Sequence, residues 1–310
     1  MLSIVLPSYN ESKNIQNAYI EIKEVLSEAK IPFELVYVND GSKDDTWTKI
    51  EEIIEKGKAE LKQSRIRGVS FSRNFGKEAA ILAGLANATG EACVVMDCDM
   101  QHPPETLVEM YRLWQEGYEV VEGVKRTRGK ESLVYKSSAK LFYRLMTKAT
   151  GIDMSRASDF KLMDRKVVKS ILSMPERNMF FRGLSSWVGF KKTEVEFDVR
   201  EREFGTSKWS KWSLVKYAVK NIAAFSTVPM QFVTIAGTLT LLGALILGIQ
   251  TLVRYFTGHA VQGFTTVILL LLIIGSVIMM SLGIMGYYLA KIYEEVKRRP
   301  VYIISEVKES

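Results

Sequence analysis

Short β-branched runs alternate, through the first half of the chain, with segments whose apolar residues recur every three or four positions. Residues 2–6, 33–38, 67–71, 92–96 and 118–122 read as strands. Between them Ile15, Tyr19, Ile22 and Leu26 keep helical spacing, and so do Ala79, Leu82, Ala83 and Ala86. Strand-helix alternation predicts an α/β fold, a mostly parallel sheet covered by helices on both faces. Past residue 160 the rhythm changes. Thr193, Val195, Phe197 and Val199 alternate with Glu194, Glu196, Asp198 and Arg200, which predicts a later, half-exposed strand.

The last third differs in kind. Asp, Glu, Lys and Arg are absent from Asn221 to Val253 and from Tyr255 to Ala290, with Arg254 alone between the two stretches. Crossing the hydrocarbon core takes roughly 20 apolar residues in a helix, because each peptide group must find its hydrogen bond within the segment. Two membrane helices are therefore predicted, at 230–253 and 264–290, joined by a turn containing Gly258, His259 and Gly263. Lys208, Lys211, Lys216 and Lys220 precede the first, and Lys291, Lys297, Arg298 and Arg299 follow the second. Cations on these flanks predict that both termini are cytoplasmic. Residues 209–217 mix Trp and Tyr with Lys, as an interfacial helix does. The predicted organisation is a catalytic domain over 1–208, an amphipathic interfacial segment over 209–228, two transmembrane helices within 229–290 and a cytoplasmic tail over 291–310.

Composition narrows the chemistry. The 310 residues hold 42 Lys+Arg and 35 Asp+Glu, a net charge of 42 − 35 = +7. Cys93 and Cys98 are too few for a disulfide framework and lack CxxC spacing, so they are expected to be small core residues. The two histidines, His102 and His259, cannot build a zinc-type cluster. No basic region or long apolar run opens the chain, so no cleaved secretory signal is expected.

Polar clusters fall where the predicted strands end, the edge at which open α/β sheets collect ligands. Strand one runs into Pro7-Ser-Tyr-Asn-Glu11, strand two into Asn39-Asp-Gly-Ser42 and strand four into Asp97-Cys-Asp-Met-Gln-His-Pro-Pro104. Neither GxGxxG nor GxxxxGK[ST] is present, so a dinucleotide fingerprint and a P-loop are both excluded. If strand geometry persists, Asp97 and Asp99 point to one side, and with the amide oxygen of Gln101 they could hold a hard cation such as Mg²⁺ or Mn²⁺. An isolated pair of this kind also fits a solvated turn closed by Pro103 and Pro104. Asp40 and Ser42 could hydrogen-bond a nucleobase, with Pro7, Tyr9 and Glu11 shaping the same cleft. Each cluster alone fits ordinary turn chemistry; three at three strand ends favour a site. His102 reads as a turn residue or a partner of the neighbouring acids. Lys136, Lys140, Arg144 and Lys148 form a cationic stripe opposite Val134, Leu141, Phe142, Leu145 and Ala149, suited to a solvated face or to anionic headgroups.

In order along the chain, Pro7-Ser-Tyr-Asn-Glu11, Val38-Asn-Asp-Gly-Ser42, Ser72-Arg-Asn-Phe-Gly-Lys77, Asp97-Cys-Asp-Met-Gln-His-Pro-Pro-Glu105 and Ala157-Ser-Asp-Phe-Lys-Leu-Met-Asp-Arg165 match a known pattern. So do Glu176-Arg-Asn-Met-Phe-Phe-Arg-Gly-Leu184 and Arg202-Glu-Phe-Gly-Thr-Ser-Lys208. The sequence resembles the inverting family 2 glycosyltransferases of GT-A fold, in the polyprenyl-phosphate branch that includes dolichol-phosphate mannose synthases and bactoprenol glucosyltransferases. The resemblance extends over nearly the whole chain, and the two-helix carboxyl terminus is similar to the bactoprenol type.

This resemblance implies roles position by position. Asp40 would recognise the base, Asp97 would orient the sugar diphosphate, and Asp99 with Gln101 would bind the metal. Pro7, Tyr9, Glu11, Ser42 and Lys77 complete the nucleotide-sugar set. Arg126, Arg202, Lys136 and Lys208 would clamp the acceptor phosphate, and Asp159 takes an acceptor-side acid position. Cys98 and Met100 replace the Ala and Leu more usual in the motif, and their side chains are expected to face away from the metal. The implied reaction is transfer of one hexose, glucose from UDP-glucose being preferred, to polyprenyl phosphate by a single inverting displacement. GDP-mannose, UDP-galactose and UDP-N-acetylglucosamine are alternative donors. A processive polysaccharide synthase and a membrane-tethered sugar-nucleotide binder without turnover are the competing classes. No nucleic-acid partner is expected, and homo-oligomerisation is left open.

Overall fold

The computed structural model describes residues 1–61, 63–126, 158–174, 176, 180–200, 228–257 and 263–310. They belong to two units, Met1–Lys211 together with Pro300–Ser310, and Trp212–Arg299.

In the first unit β1 (Leu2–Ser8), β2 (Phe33–Asn39), β3 (Arg65–Phe71) and β4 (Ala92–Val95) alternate with α1 (Ile15–Glu28), α2 (Thr46–Glu60) and α3 (Lys77–Asn87). After α4 (Glu105–Gln115) come β5 (Val120–Lys125), β6 (Lys161–Asp164), α5 (Arg165–Leu172), α6 (Phe181–Trp187) and β7 (Lys192–Phe197). Together with β8 (Ile304–Glu309) they form one eight-stranded sheet, in the order β7-β5-β6-β4-β1-β2-β3-β8. The pairs β1/β2, β1/β4, β2/β3 and β5/β7 are parallel, whereas β6 runs against β4 and β5, and β8 against β3. This is the mostly parallel α/β sheet expected from the sequence.

The hydrophobic pattern explains why both faces are covered. Alternate residues of one strand serve opposite cores. Leu2, Ile4, Leu6, Leu35, Tyr37 and Val94 join Ile15 and Ile22 of α1, Ile50 of α2 and Met110 of α4. Val5, Val36, Val38, Val69 and Val95 join Ala80 and Leu85 of α3, Ile171 of α5 and Phe181 of α6. At Gly84 helix α3 approaches the sheet so closely that a Cβ would meet Val5 Cγ1 at 2.2 Å. The sequence pattern located β7 by its alternation, and only its inward residues are covered: Phe197 is buried while Glu194 and Glu196 are exposed.

Two strands escape the pattern. β6 has four residues and begins with a lysine, and that lysine is fully buried, its Nζ 2.9 Å from Glu122 Oε1 and 2.7 Å from Ser185 Oγ. β8 is exposed along its whole length, so nothing in its hydropathy marks it as part of a sheet. The sequence pattern leaves 291–310 as a tail; the chain instead folds its last residues onto β3. The expected interfacial segment over 209–228 and the stripe from Lys136 to Lys148 lie outside the described residues, apart from Val228, the first residue of the next helix.

The second unit contains α7 (Val228–Phe256) and α8 (Phe264–Val296). Both are long and apolar enough to cross a membrane, over Val233–Gln250 and Ile273–Val296. Leu239, Leu242 and Ile246 on α7, and Leu271, Met279 and Leu289 on α8, are exposed. Helices apolar all round with open apolar side chains suit lipid rather than water.

Candidate active site

Because β1 to β5 and β7 share one direction, their carboxyl ends lie along a single edge, and antiparallel β6 brings its starting residues there. The sheet order turns at β1, with β2 on one side and β4 on the other, so a crevice opens outside these ends. A cleft of about 270 Å³ occupies it, lined by Pro7, Tyr9, Glu11, Asp40, Lys77, Asp97 and Asp99 among others. Those seven residues are ones the sequence analysis named. Asp97 and Asp99 reach the cleft by a different route from the expected strand alternation. β4 ends at Val95, and the chain then turns, with Met100 in the left-handed region at φ 56°. Asp99 Oδ1 accepts from Gln101 N at 3.2 Å within that turn. The intervening Cys98 and Met100 are buried.

The wall on the β2 side is a network of loop hydrogen bonds. Ser42 N donates to Asn39 Oδ1 at 3.0 Å, Ser42 Oγ accepts from Asn10 N at 3.0 Å, and Asn10 Oδ1 accepts from Lys43 N at 2.9 Å. Ser42 thus shapes the wall from behind and is not among the lining side chains. Asp40 is buried, and its carboxylate accepts from Phe75 N at 2.6 Å and from Gly76 N at 2.9 Å. Burial pushes its pKa up, and the two amides pull against that rise.

Alternating charges cross the floor. Lys77 Nζ lies 2.7 Å from Asp97 Oδ1 and 3.1 Å from Asp159 Oδ2. Arg182 grips Asp159 through two nitrogens of one guanidinium edge, Nε to Oδ1 at 2.8 Å and Nη2 to Oδ2 at 2.9 Å. Burial alone would lower Lys77, but Asp97 and Asp159 hold its pKa above the ordinary lysine range. Burial alone would raise the two acids; Lys77 overrides it at Asp97, and Lys77 with Arg182 drives Asp159 far below the carboxylate range. Asp159 and Asp97 are therefore fixed anions and poor proton acceptors. Beside them, burial and the Asp159 charge push Glu78 up to about 7, while its Oε2 accepts from Phe181 N at 2.8 Å.

Other expected residues stand apart from this floor. Arg126, at the end of β5, pairs with Asp198 at 3.3 Å and Glu196 at 3.6 Å and is 58% exposed. Gln101 shares the acidic turn without lining the cleft. Lys136, Arg202 and Lys208 lie outside the described residues. His102 is buried, stacked on Phe160 at 4.6 Å and edge-on to Phe197 at 5.4 Å, and its Nδ1 has no hydrogen-bond partner. It props the acidic turn against the residue that follows Asp159. Sequence reasoning passed over Arg182 and Glu78. Arg182 lay within the segment from Glu176 to Leu184 that matched the family pattern, and Glu78 directly follows Lys77, but neither carries a local signal of its long-range partner.

Among the described residues no group of three or more His, Cys, Asp or Glu forms a metal cage. Asp97 and Asp99, both partly open to the cleft, are a sparse donor set. That set fits a Mg²⁺ or Mn²⁺ ion that arrives with a diphosphate and keeps several waters, since such ions use one or two carboxylates.

The chain matches known proteins along its length. An uncharacterized glycosyltransferase of Synechocystis sp. is 39% identical over 99% of this chain and 95% of its own. A prophage bactoprenol glucosyl transferase homolog of Escherichia coli is 35% identical over 99% of both. The bactoprenol glucosyl transferase of Shigella phage SfII is also 35% identical, over 98% of this chain and 97% of its own. The family model for glycosyl transferase family 2 matches residues 3–172, the segment that carries β1 to β6 and the acidic cleft, and the chain belongs to that family.

Proposed function

We propose that this protein transfers glucose from UDP-glucose to polyprenyl phosphate, inverting the anomeric carbon, and that it does so at the cytoplasmic face of a membrane held by α7 and α8. The observation that carries this reading is the conjunction, in one cleft, of Asp97, Asp99 and Lys77 at the turn of the sheet order. Relatives named bactoprenol glucosyl transferase, similar over nearly the full chain including the two apolar helices, support the choice of sugar and acceptor.

Asp40, fixed by the Phe75 and Gly76 amides, offers its remaining acceptor capacity to the uracil. Lys77 sits where the diphosphate would lie, already between the two acids that define the floor. Asp99, with Asp97 and Gln101 beside it, would hold Mg²⁺ or Mn²⁺. When bound, such a cation offsets charge gathering on the leaving diphosphate. The acceptor needs no strong base, because a phosphate monoester with a second pKa near ~6 is already anionic at neutral pH. This agrees with an Asp159 that is tied to Lys77 and Arg182 and cannot accept a proton. Its task is to hold Lys77 for the donor diphosphate and Arg182 for the incoming phosphate. Arg126, on the same sheet edge, completes the acceptor clamp with Arg182, and Lys136, Arg202 and Lys208 are assigned to that clamp from the family resemblance alone.

Topology supports a shared side for both ends of the chain. β8 is hydrogen-bonded to β3, so the polypeptide between Lys211 and Pro300 must cross the bilayer an even number of times. The flanking lysines and arginines favour the cytoplasm as that side. The test is a panel of labelled nucleotide sugars offered to the reconstituted protein with undecaprenyl phosphate, followed by mass analysis of the lipid. A single hexose added from UDP-glucose, lost on chelation, is the expected product. Polymer, transfer from GDP-mannose alone, or no lipid product would refute the reading.

A further inference from the structure

We infer that the last residues of the chain position the donor cleft, through Tyr302 and Ile303 acting on the loop from Ser72 to Gly76. The inference rests on the donor reading above.

The sheet order puts β2 on one side of β3 and β8 on the other. The loop that leaves β3 is consequently flanked by the segment following β2 and the segment preceding β8. On the β2 side stands Gly41, in the left-handed region at φ 60°, where an added Cβ would meet the Arg73 carbonyl carbon at 2.3 Å. The loop has no room to move that way. On the β8 side Ser72 N donates to the Ile303 carbonyl at 3.0 Å, and Ser305 Oγ donates to the Ser70 carbonyl at 2.9 Å. Tyr302 stacks on Phe71 at 5.1 Å with the rings 11° apart, and Phe71 meets Phe75 edge-on at 5.7 Å. The Arg73 guanidinium lies 4.3 Å from the centre of the Phe75 ring.

This loop carries the groups that face the donor. Phe75 and Gly76 supply the two amides that fix Asp40. The next residue, Lys77, opens α3 and reaches Asp97 and Asp159. A shift of Phe75 is thereby transmitted to both the base-side and the phosphate-side contacts. Without Tyr302 one face of Phe71 loses its ring partner and the loop loses its outer support. The same segment follows α8 directly in sequence.

The experiment uses the full chain in detergent or vesicles and measures UDP affinity together with KM for UDP-glucose and for undecaprenyl phosphate. Tyr302→Ala is expected to weaken UDP binding and raise the donor KM by about three- to tenfold, the scale of one lost aromatic pair. The acceptor KM and kcat should change less than about twofold, since interactions lost equally from ground and transition states move KM alone. Tyr302→Phe should restore the donor KM. Glu309→Ala, which breaks the 2.8 Å pair with Arg67 at the far end of β8, should leave it unchanged. If Tyr302→Ala accumulates poorly, Tyr302→Leu keeps the bulk, removes the flat ring and should show the same split at smaller size. Normal UDP binding with a donor KM indifferent to Tyr302 overturns the inference alone. So does an equal drift of every parameter in the Tyr302 and Glu309 variants. An unaltered protein that binds no UDP overturns the donor reading and this inference with it.

Discussion

The two halves of the sheet edge are built on different terms. Around β1 to β4 the functional carboxylates are held: Asp40 by two backbone amides, Asp97 by Lys77, and Asp159, arriving on β6, by Lys77 and Arg182. Around β5 and β7 the cation is lent. Arg126 is more than half exposed, and among the described residues its guanidinium pairs with Glu196 and Asp198, themselves open to solvent. Exposed pairs of that kind contribute about 0–1 kcal/mol, so a phosphate can take the arginine from them at little cost. On the proposed reading, the groups that meet developing charge are fixed before substrate arrives, which is where preorganisation has its largest effect. The group proposed to capture a mobile lipid headgroup stays available.

The contrast is broken most severely at Asp99. It belongs to the fixed half but lies in a turn, partly open, and carries none of the buried core. Asp99→Ala should cut transfer by about 10²–10³-fold, ~3–4 kcal/mol, while folding and membrane insertion persist. Turnover near the unaltered rate in a metal titration would remove Asp99 from the site.

Next in size is the charge relay. Arg182→Ala leaves Asp159 with one cation, and Lys77→Ala leaves it with the other. Each should lower kcat by about 10- to 100-fold, and the double variant should lose less than the product of the two, with a coupling of roughly 0.5–3 kcal/mol. Strict additivity would mean that the two cations act independently and that Asp159 does not join them.

These residues differ in how far the sequence disclosed them. Asp97, Asp99 and Asp40 each follow a buried strand by a few residues, and Pro7 to Glu11 run off the end of β1, so hydropathy finds the strand and local chemistry finds the cluster. The membrane helices are legible for a similar reason, since their signal is continuous along the chain. Arg182 is not legible in that way. Its partner Asp159 is 23 residues away, and the contact exists because β6 runs antiparallel between β4 and β5. β8 is hidden for the opposite reason: its pairing with β3 is held by backbone hydrogen bonds and charged contacts such as Arg67 to Glu309, and it buries no apolar stripe to betray it. Lys161 reads as a surface residue until the neighbouring strand supplies Glu122. Pairings at long sequence separation carry no periodicity.

The lent half is tested at Arg126. Arg126→Ala should raise the acceptor KM by about tenfold, ~1.4 kcal/mol, and leave the donor KM alone. Added salt should narrow the difference between variant and unaltered protein, because the missing contact is exposed and screened. A change in donor KM of the same size would place Arg126 on the fixed side after all.

The smallest effect concerns Glu78, an acid of the fixed half whose pKa, like that of Asp40, moves up rather than down. Its folded value is about 7 against 4.5 in the absence of perturbation. Between those values the native state binds more protons than the unfolded chain, so its contribution to stability is present below about pH 4.5 and is lost as pH rises through 7. Glu78→Gln keeps an oxygen for the Phe181 amide and cannot ionise. Relative to the unaltered protein, the variant should show little difference in thermal midpoint at pH 5 and a higher midpoint at pH 8. His102, whose pKa burial holds below 6.5, tilts the profile the other way through part of that window, but it does so in both proteins and cancels in the difference. A variant less stable at pH 8, or a gap that does not widen with pH, would show that Glu78 is ionised and paired like its neighbours.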